Sequence, residues 1–161
     1  MIKRTCKIVL VSILLINFSS CKKSEEIQDP TGIACEKGYY GPDCDIPFNE
    51  SYFRSVALNV NDDCTAAFKN YATTISLDNS DPCVFYISNF WDSGALVTCT
   101  IKSTNRKKFT ASKQPLGTSS FYVEITSGTL DEEAKTLVYT YKLYTSNNTV
   151  FNECSGTINL N

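Results

Sequence analysis

Histidine is absent from this sequence, and methionine and tryptophan each occur once. Without histidine, Ser-His-Asp and Cys-His nucleophile systems are excluded, and so are the common zinc sites. A glycine-rich phosphate loop is also missing. We therefore predict that the protein is not an enzyme and that it holds no metal and no cofactor.

Positive charge is scarce outside the N-terminus. Setting Lys3, Arg4 and Lys7 aside leaves 12 of the 15 basic residues against 17 acidic ones, a formal charge of −5. Nucleic-acid binding needs clustered positive charge that displaces counterions, so we exclude this class of partner. The basic run 106–108, together with Lys113, is interpreted as the solvated end of a hairpin, with an anion site as the less favoured alternative.

Long hydrophobic runs are scarce as well, because no stretch reaches the roughly 18 apolar residues of a membrane-spanning helix. The longest apolar run extends from Ile8 to Ile16 and follows three basic residues. A positive start before a short apolar run is typical of a secretory signal. We therefore predict a signal peptide over residues 1–20.

The signal ends in two small residues and a cysteine, Ser19-Ser20-Cys21. This segment resembles the lipobox of bacterial lipoproteins, in which the cysteine is acylated and becomes the first residue of the mature protein. The resemblance implies a lipid on Cys21 that anchors the protein to a membrane. Lys22 and the charged run that follows it resemble lipoproteins of the outer membrane, some of them exposed at the cell surface.

The number of cysteines supports the lipid on Cys21. Of the eight cysteines, Cys6 leaves with the signal peptide, and a lipidated Cys21 leaves six for disulfides. An even number is expected in an oxidising compartment. The alternative is a plain secretory signal with a free or intermolecular Cys21.

Two small segments precede the main domain. Residues 21–34 are polar and predict a flexible tether. The segment from Cys35 to Cys44 resembles the last loop of EGF-like domains, in which C-x8-C encloses G-[YF]-x-G-x-x-C. The resemblance implies a Cys35–Cys44 disulfide but no calcium site. We interpret residues 35–47, the EGF-like stub, as a rigid spacer.

The remaining residues, 48–161, alternate apolar and polar side chains in eight runs separated by turn residues. This pattern predicts an all-β, antiparallel up-and-down meander, and closing it into a barrel removes the exposed edges. The inward members of the eight runs are predicted to be Val56, Leu58 and Val60; Tyr71, Thr73, Ile75 and Leu77; Cys83, Phe85 and Ile87; Val97, Cys99 and Ile101; Phe109 and Ala111; Phe121, Val123 and Ile125; Leu137, Tyr139, Tyr141 and Leu143; and Val150, Cys154, Ile158 and Leu160.

The barrel topology predicts how the four cysteines of this domain pair. The last strand of a closed eight-strand meander lies antiparallel beside the first, which brings Cys64 and Cys154 to the same end. Cys83 and Cys99 fall on neighbouring strands with the same inward parity, so they form the second predicted pair. Spacing alone would allow three connectivities.

The whole chain from Cys21 onward resembles a group of small Gram-negative lipoproteins. They combine a lipobox, a lone C-x8-C stub and a lipocalin-like β domain. The resemblance is closest at residues 87–90 with Gly94, and at residues 154–158. It implies a lipocalin-like barrel and an outer-membrane location, but it implies no activity.

Phe90 and Trp91 are the candidate ligand-binding residues, because they lie at a predicted hairpin end beside Asp92. The alternative is that both rings close the floor of the barrel. If they form a contact surface, the protein is predicted to be a non-enzymatic module that binds another protein or a glycan.

Two alternative functions follow from other features. A barrel can carry a small apolar ligand, although the large inward aromatic residues favour a filled interior. A carboxylate-dependent hydrolase is the second alternative, and its candidate residues lie in predicted turns at 62–63, 78–81 and 131–133. Carboxylates at such positions usually cap turns.

Overall fold

The alternating runs of the sequence form antiparallel strands in the structure, a computed structural model that describes residues 36–64 and 70–160. The predicted lipidation site Cys21, the signal peptide and the tether lie outside these ranges, as does Cys35. Within the described ranges, no helix is long and apolar enough to cross a membrane.

Eight strands of the described chain close into a barrel, which confirms the predicted fold class. Each strand pairs with the next along the chain, and the last returns to pair antiparallel with the first. A short hairpin, β1 (Tyr39–Tyr40) and β2 (Ile46–Pro47), and a 3-10 helix (Phe48–Tyr52) precede the barrel. The barrel strands are β3 (Arg54–Asp62), β4 (Asn70–Leu77), β5 (Val84–Phe90), β6 (Ala95–Lys102), β7 (Asn105–Pro115), β8 (Tyr122–Asp131), β9 (Thr136–Tyr144) and β10 (Val150–Asn159).

The barrel has two ends with different structures. The base is the end at which β3 begins, and it is formed by the 3-10 helix and the connections 78–83, 103–104 and 132–135. The rim is the opposite end, and it is formed by residues 63–64 and the connections 91–94, 116–121 and 145–149. Antiparallel neighbours reverse direction at every connection, so successive connections alternate between the two ends.

The barrel interior is filled by side chains, as the inward aromatic residues predicted. Tyr71, Phe85, Tyr139 and Tyr141 are all buried, whereas Phe121 is half-buried at the rim. Small barrels are either packed by their own side chains or hold one ligand, and this one is packed. The largest fully buried side chains include Tyr52, Phe48, Phe90, Phe109, Ile75 and Leu116.

Large and small residues alternate along one transverse row of the interior. Phe109, Gly128, Tyr139, Gly156 and Asp62 are successive register partners on β7, β8, β9, β10 and β3. A Cβ on Gly128 would lie 2.3 Å from Cζ of Phe109, and one on Gly156 would lie 2.5 Å from Cζ of Tyr139. The two glycines therefore provide the space that the two rings occupy.

The 3-10 helix closes the base. Tyr52 is fully buried, its ring stacks on Phe85 with centroids 4.4 Å apart, and it meets Phe109 edge-on at 5.7 Å. Its hydroxyl donates a hydrogen bond of 2.7 Å to the carbonyl oxygen of Arg106. Because this ring enters the barrel from one end, the interior is sealed from solvent at the base.

Residues 36–47 of the predicted stub pack on the base, and their role as a spacer stays a prediction. Gly38 has φ +96°, and a Cβ there would lie 2.7 Å from Cγ of Pro82 and 3.1 Å from Sγ of Cys83. Its carbonyl oxygen accepts a hydrogen bond of 2.8 Å from the N–H of Phe48. Only a residue without a side chain allows this approach, so the stub is fitted to the barrel.

A disulfide joins Cys64 and Cys154, with Cα atoms 4.9 Å apart. This confirms the pairing that the closed topology predicted, and it links the first and last strands of the barrel. Cys44 is also disulfide-bonded. Its predicted partner, Cys35, lies outside the described residues, so the Cys35–Cys44 pairing stays a prediction.

The predicted bridge between Cys83 and Cys99 is wrong, because both residues are buried free cysteines. The register of β5 and β6 places Phe85, not Cys83, opposite Cys99. Cys83 lies next to Ile101 instead, whose N–H donates to the Cys83 carbonyl oxygen at 2.7 Å. Diagonal neighbours across two strands are ~7–8 Å apart, beyond the reach of a disulfide.

Two further parity predictions are wrong where strands are irregular. Val56 is 54% exposed and Val150 is 44% exposed, although both were predicted to point inward. Register shifts occur between Arg54 and Leu58 and between Val150 and Asn152. An extra residue in one strand changes the face on which its side chains point, and strict alternation cannot show it.

Candidate functional site

Phe90 belongs to the interior, not to a contact surface. It is fully buried at the end of β5, with its ring centroid 5.1 Å from that of Tyr141 and 5.7 Å from that of Tyr139. The prediction of a ligand-binding role is therefore corrected for Phe90, because a side chain without exposed surface cannot contact a partner.

Trp91 lies at the rim and is half-buried. Its ring meets that of Phe121 edge-on with centroids 6.1 Å apart, and Phe121 lies 5.2 Å from Phe151. Phe151 is 54% exposed, and the adjacent Val150 is 44% exposed. We call Trp91, Phe121 and Phe151 the aromatic patch. Two connections and the start of β10 bring these rings together at one end of the barrel.

Sequence reasoning missed two of the three rings. Phe121 was assigned to the interior, and Phe151 was not singled out. A signal for Phe151 was present, because Val150 and Phe151 are adjacent apolar residues that interrupt the alternation of the last run. Two consecutive apolar side chains on a regular strand point to opposite faces, so at least one of them is expected to be exposed, and the register shift at this point exposes both.

The hairpin that carries Trp91 has an unusual backbone. Asn89, Trp91 and Asp92 have positive φ angles of 47°, 55° and 47°. Positive φ is uncommon for residues other than glycine and is costly for a bulky side chain, so neighbouring groups must hold it. The side chain of Asn89 donates to the Ala72 carbonyl oxygen at 2.7 Å and accepts from the Gly94 N–H at 2.9 Å.

One further bond ties Trp91 to the interior. Its backbone N–H donates to the hydroxyl oxygen of Tyr71 at 3.0 Å. Tyr71 is buried inside the barrel, and burial raises the pKa of its hydroxyl to about 12. A buried side chain on the neighbouring strand β4 therefore holds the hairpin together with the Asn89 side chain.

A buried carboxyl group lies beneath the rim. Asp62, at the end of β3, has no exposed surface. Its side chain accepts hydrogen bonds from the Tyr141 hydroxyl at 2.7 Å and from the Cys64 N–H at 2.8 Å. Burial raises the pKa of Asp62, and these hydrogen bonds oppose the rise only in part.

The expectation that residues 62–63 form a solvated turn is wrong for Asp62. A signal for its burial was present, because Asp62 continues the inward parity of Leu58 and Val60. Asp63 points to the exterior, where it accepts hydrogen bonds from the N–H and the hydroxyl of Ser155 at 2.5 and 2.7 Å. These bonds hold the pKa of Asp63 below its usual range.

The other candidate carboxylates cap turns, as predicted. Asp78 accepts hydrogen bonds from the N–H groups of Ser80 and Asp81 at 2.7 and 3.0 Å. Asp131 accepts from two N–H groups of the connection that follows it. In the described part of the chain, no group of three or more His, Cys, Asp or Glu side chains could hold a metal ion.

Two side chains of the basic run at 106–108 share one carboxylate, and the third donates to a hydroxyl. Arg106 forms an ion pair with Glu132, and Lys107 binds the same carboxylate at 2.7 Å. Lys108 donates to the Thr129 hydroxyl at 2.7 Å. All three side chains have partners on the neighbouring β8–β9 hairpin, and Nζ of Lys113 lies 3.7 Å from the centroid of the Tyr144 ring. These contacts favour the interpretation as a solvated surface over an anion site.

A surface cavity of about 460 Å³ lies at the base, away from the aromatic patch. Its lining includes the buried thiol of Cys83 together with Lys37, Asp81, Thr100 and Lys102. Burial raises the pKa of the Cys83 thiol, which makes the reactive thiolate scarce. The Cys83 thiol is therefore not activated as a nucleophile.

The chain matches no protein-family model, and no curated protein is significantly similar to it. The resemblance to lipoproteins with an EGF-like stub therefore stays a prediction. A functional proposal depends on the geometry of the rim.

Proposed function

We propose that this protein is a lipid-anchored module of the bacterial envelope that binds a protein or a glycan through its aromatic patch, without catalysis. The observation that carries the proposal is the grouping of Trp91, Phe121 and Phe151 at the rim, with Phe151 54% exposed. Exposed aromatic rings held in a fixed arrangement are typical anchors of binding surfaces.

The filled interior supports surface binding over the carrier function. A ligand inside the barrel would need the space that Tyr139, Tyr141 and Phe90 occupy, and all three are buried. Tyr52 and the 3-10 helix also close the base. Because protein interiors are close-packed, the free energy needed to displace these side chains would exceed the free energy gained by binding a small apolar ligand.

The direction of the aromatic patch fits a protein anchored by its N-terminus. The stub packs on the base, and the patch lies at the opposite end. If Cys21 carries the lipid, the tether approaches the barrel from the side of the base. The aromatic patch would then face away from the supporting membrane, where a partner can reach it.

The test uses two matched phenylalanines at opposite ends of the barrel. Phe151 is 54% exposed within the patch, and Phe53 is 44% exposed beside the base. The labelled mature chain, with Cys21→Ser to prevent insertion into lipid, is titrated onto isolated bacterial envelopes and onto immobilised glycans. We expect saturable binding that Phe151→Ala weakens roughly ten- to thirty-fold, as for an anchor residue.

Phe53→Ala is the control, and it should leave the affinity unchanged. Protease treatment of the envelopes abolishes binding to a protein partner, whereas periodate abolishes binding to a glycan. No saturable binding, or an equal loss in Phe53→Ala and Phe151→Ala, would contradict the proposal. Circular dichroism of each variant confirms that the barrel is folded.

A further inference from the structure

The buried carboxyl group of Asp62 and the exposed hairpin of Trp91 share one neighbour. The Tyr71 hydroxyl accepts the hydrogen bond from the Trp91 N–H at 3.0 Å. Tyr71 also lies beside Asp62 on the inward face of the barrel, because its register partner Val60 precedes Asp62 by two residues on β3. Tyr71 is therefore a neighbour both of an ionisable group in the interior and of the backbone that positions the aromatic patch.

This connection matters because the Trp91 backbone is in a conformation that depends on its partners. Trp91 has φ +55°, a value that a large side chain rarely adopts. Below the hairpin, Phe90 packs against Tyr139 and Tyr141, and Tyr141 donates its hydroxyl hydrogen to Asp62. Asp62 is therefore connected to the hairpin through the Tyr141 hydrogen bond and the packed rings.

The surroundings of Asp62 make its carboxyl group the one whose protonation state responds to pH. Its carboxyl group is buried without a basic partner among the described residues that face it, so burial raises its pKa. β10 contributes Gly156 opposite Asp62 and the oxidised Cys154. The titratable groups of the described residues that face Asp62 are Asp63 from β3, Tyr71 from β4, and Tyr139 and Tyr141 from β9.

We propose that Asp62 is a proton-sensing group that couples the pH outside the protein to the geometry of the aromatic patch through Tyr71. When Asp62 is ionised, its charged oxygen is a strong acceptor for the Tyr141 hydroxyl, and its charge polarises the neighbouring Tyr71 hydroxyl, which accepts from the Trp91 N–H. When Asp62 takes up a proton, these acceptors weaken. The Trp91 hairpin then loosens or shifts.

The tryptophan of the chain reports this coupling directly, since it is the only one. We expect the fluorescence emission of the full chain to change with pH in one transition. The midpoint of this transition should lie above pH ~3.9, which is the pKa of an ordinary aspartate. Asp62→Asn and Tyr71→Phe should remove the transition. Asp63→Asn is the matched control, because this neighbouring carboxyl group points outward, and it should leave the transition in place.

A second measurement avoids substitutions altogether. In the unmodified chain, the amide resonance of Trp91 and the carboxyl carbon of Asp62 are followed by NMR during one pH titration. We expect both to titrate with the same midpoint. A Trp91 amide that ignores the Asp62 titration, or a fluorescence transition that survives in Asp62→Asn, would overturn the proposal.

The role of this coupling in partner binding rests on the proposed function of the aromatic patch. Both measurements use the protein without a partner, so the coupling and the binding function can fail separately. If the patch binds a partner and the coupling holds, the affinity should change with pH over the same interval, and it should become independent of pH in Asp62→Asn.

Discussion

Two adjacent aspartates show how strongly position decides the behaviour of a residue. Asp62 points into the barrel, where burial raises its pKa. Asp63 points outward, where hydrogen bonds from Ser155 lower its pKa. The same side chain therefore favours its neutral form at one position and its charged form at the next, because strand neighbours point to opposite faces.

This difference predicts opposite dependences of stability on pH. A raised pKa in the folded state means that Asp62 stabilises the fold below ~3.9 and that this contribution is lost as the pH rises through the folded pKa. Relative to Asp62→Asn, the free energy of unfolding of the wild-type protein should therefore fall from pH 4 towards neutral pH. Urea denaturation at several pH values measures it.

Asp63 should behave in the opposite way. Its lowered pKa means that its contribution is present above ~3.9 and is lost as the pH falls through the folded pKa. Relative to Asp63→Asn, the wild-type protein should therefore gain stability as the pH rises from 2 to 5, by a small amount because Asp63 is exposed. If the two stability differences changed with pH in the same direction, the assignment of Asp62 to the interior and Asp63 to the exterior would be wrong.

At the scale of the strand, register and irregularities decide which residues meet. β7, β8, β9 and β10 place Phe109, Gly128, Tyr139 and Gly156 side by side. β8 shifts register between Ile125 and Ser127, so inward parity changes within one strand. Without this shift Gly128 would face outward, and the Phe109 ring would meet a side chain in the interior.

The pairing of Gly128 with Phe109 predicts an unusual effect of a small substitution. An added Cβ would lie 2.3 Å from Cζ of Phe109, so Gly128→Ala should destabilise the protein by roughly 1–3 kcal/mol despite the better strand propensity of alanine. Urea denaturation followed by circular dichroism measures the loss.

The smaller Phe109→Leu side chain should relieve the clash. In the double variant, the combined cost should therefore be lower than the sum of the two single costs. Strictly additive costs would indicate that the ring and the glycine do not meet, and a neutral Gly128→Ala would indicate the same.

At the scale of the whole molecule, barrel closure depends on the seam between β3 and β10. These strands share four register pairs, from Gly156 with Asp62 to Asn159 with Asn59, whereas β9 and β10 share nine. The Cys64–Cys154 disulfide lies at the rim end of this seam. It therefore fastens the shorter of the two ladders that hold the last strand.

Removing this disulfide should weaken closure of the barrel. Replacing Cys64 and Cys154 together by Ala should lower the free energy of unfolding by roughly 2–5 kcal/mol, because the bridge closes a long loop. A non-reducing peptide map should show the Cys64–Cys154 link and should show Cys83 and Cys99 alkylated separately. A linked Cys83–Cys99 peptide would contradict the register of β5 and β6.

Membrane attachment is a separate prediction about the whole chain. Cys21→Ser should abolish lipid labelling and release the protein from the membrane fraction, because the lipid is the proposed anchor. The mature wild-type protein should begin at residue 21. A Cys21→Ser protein that still sediments with membranes would contradict lipid anchoring at this residue.

The sequence by itself determined the class and order of the barrel. Period-two alternation and turn residues are local signals, and they were sufficient for eight strands and their sequential pairing. The Cys64–Cys154 bridge followed from the closed topology without further detail, because it requires only that the first and last strands meet. The turn-capping roles of Asp78 and Asp131 were also local and were predicted correctly.

The tertiary structure decided everything that depends on contacts between distant segments. Register placed Phe85 opposite Cys99, shifts in β3 and β10 exposed Val56 and Val150, and packing fitted the stub to the base. The aromatic patch forms because connections far apart in sequence meet at one end of the barrel. Such contacts are selected by the packing of the whole interior, and a local pattern carries no information about them.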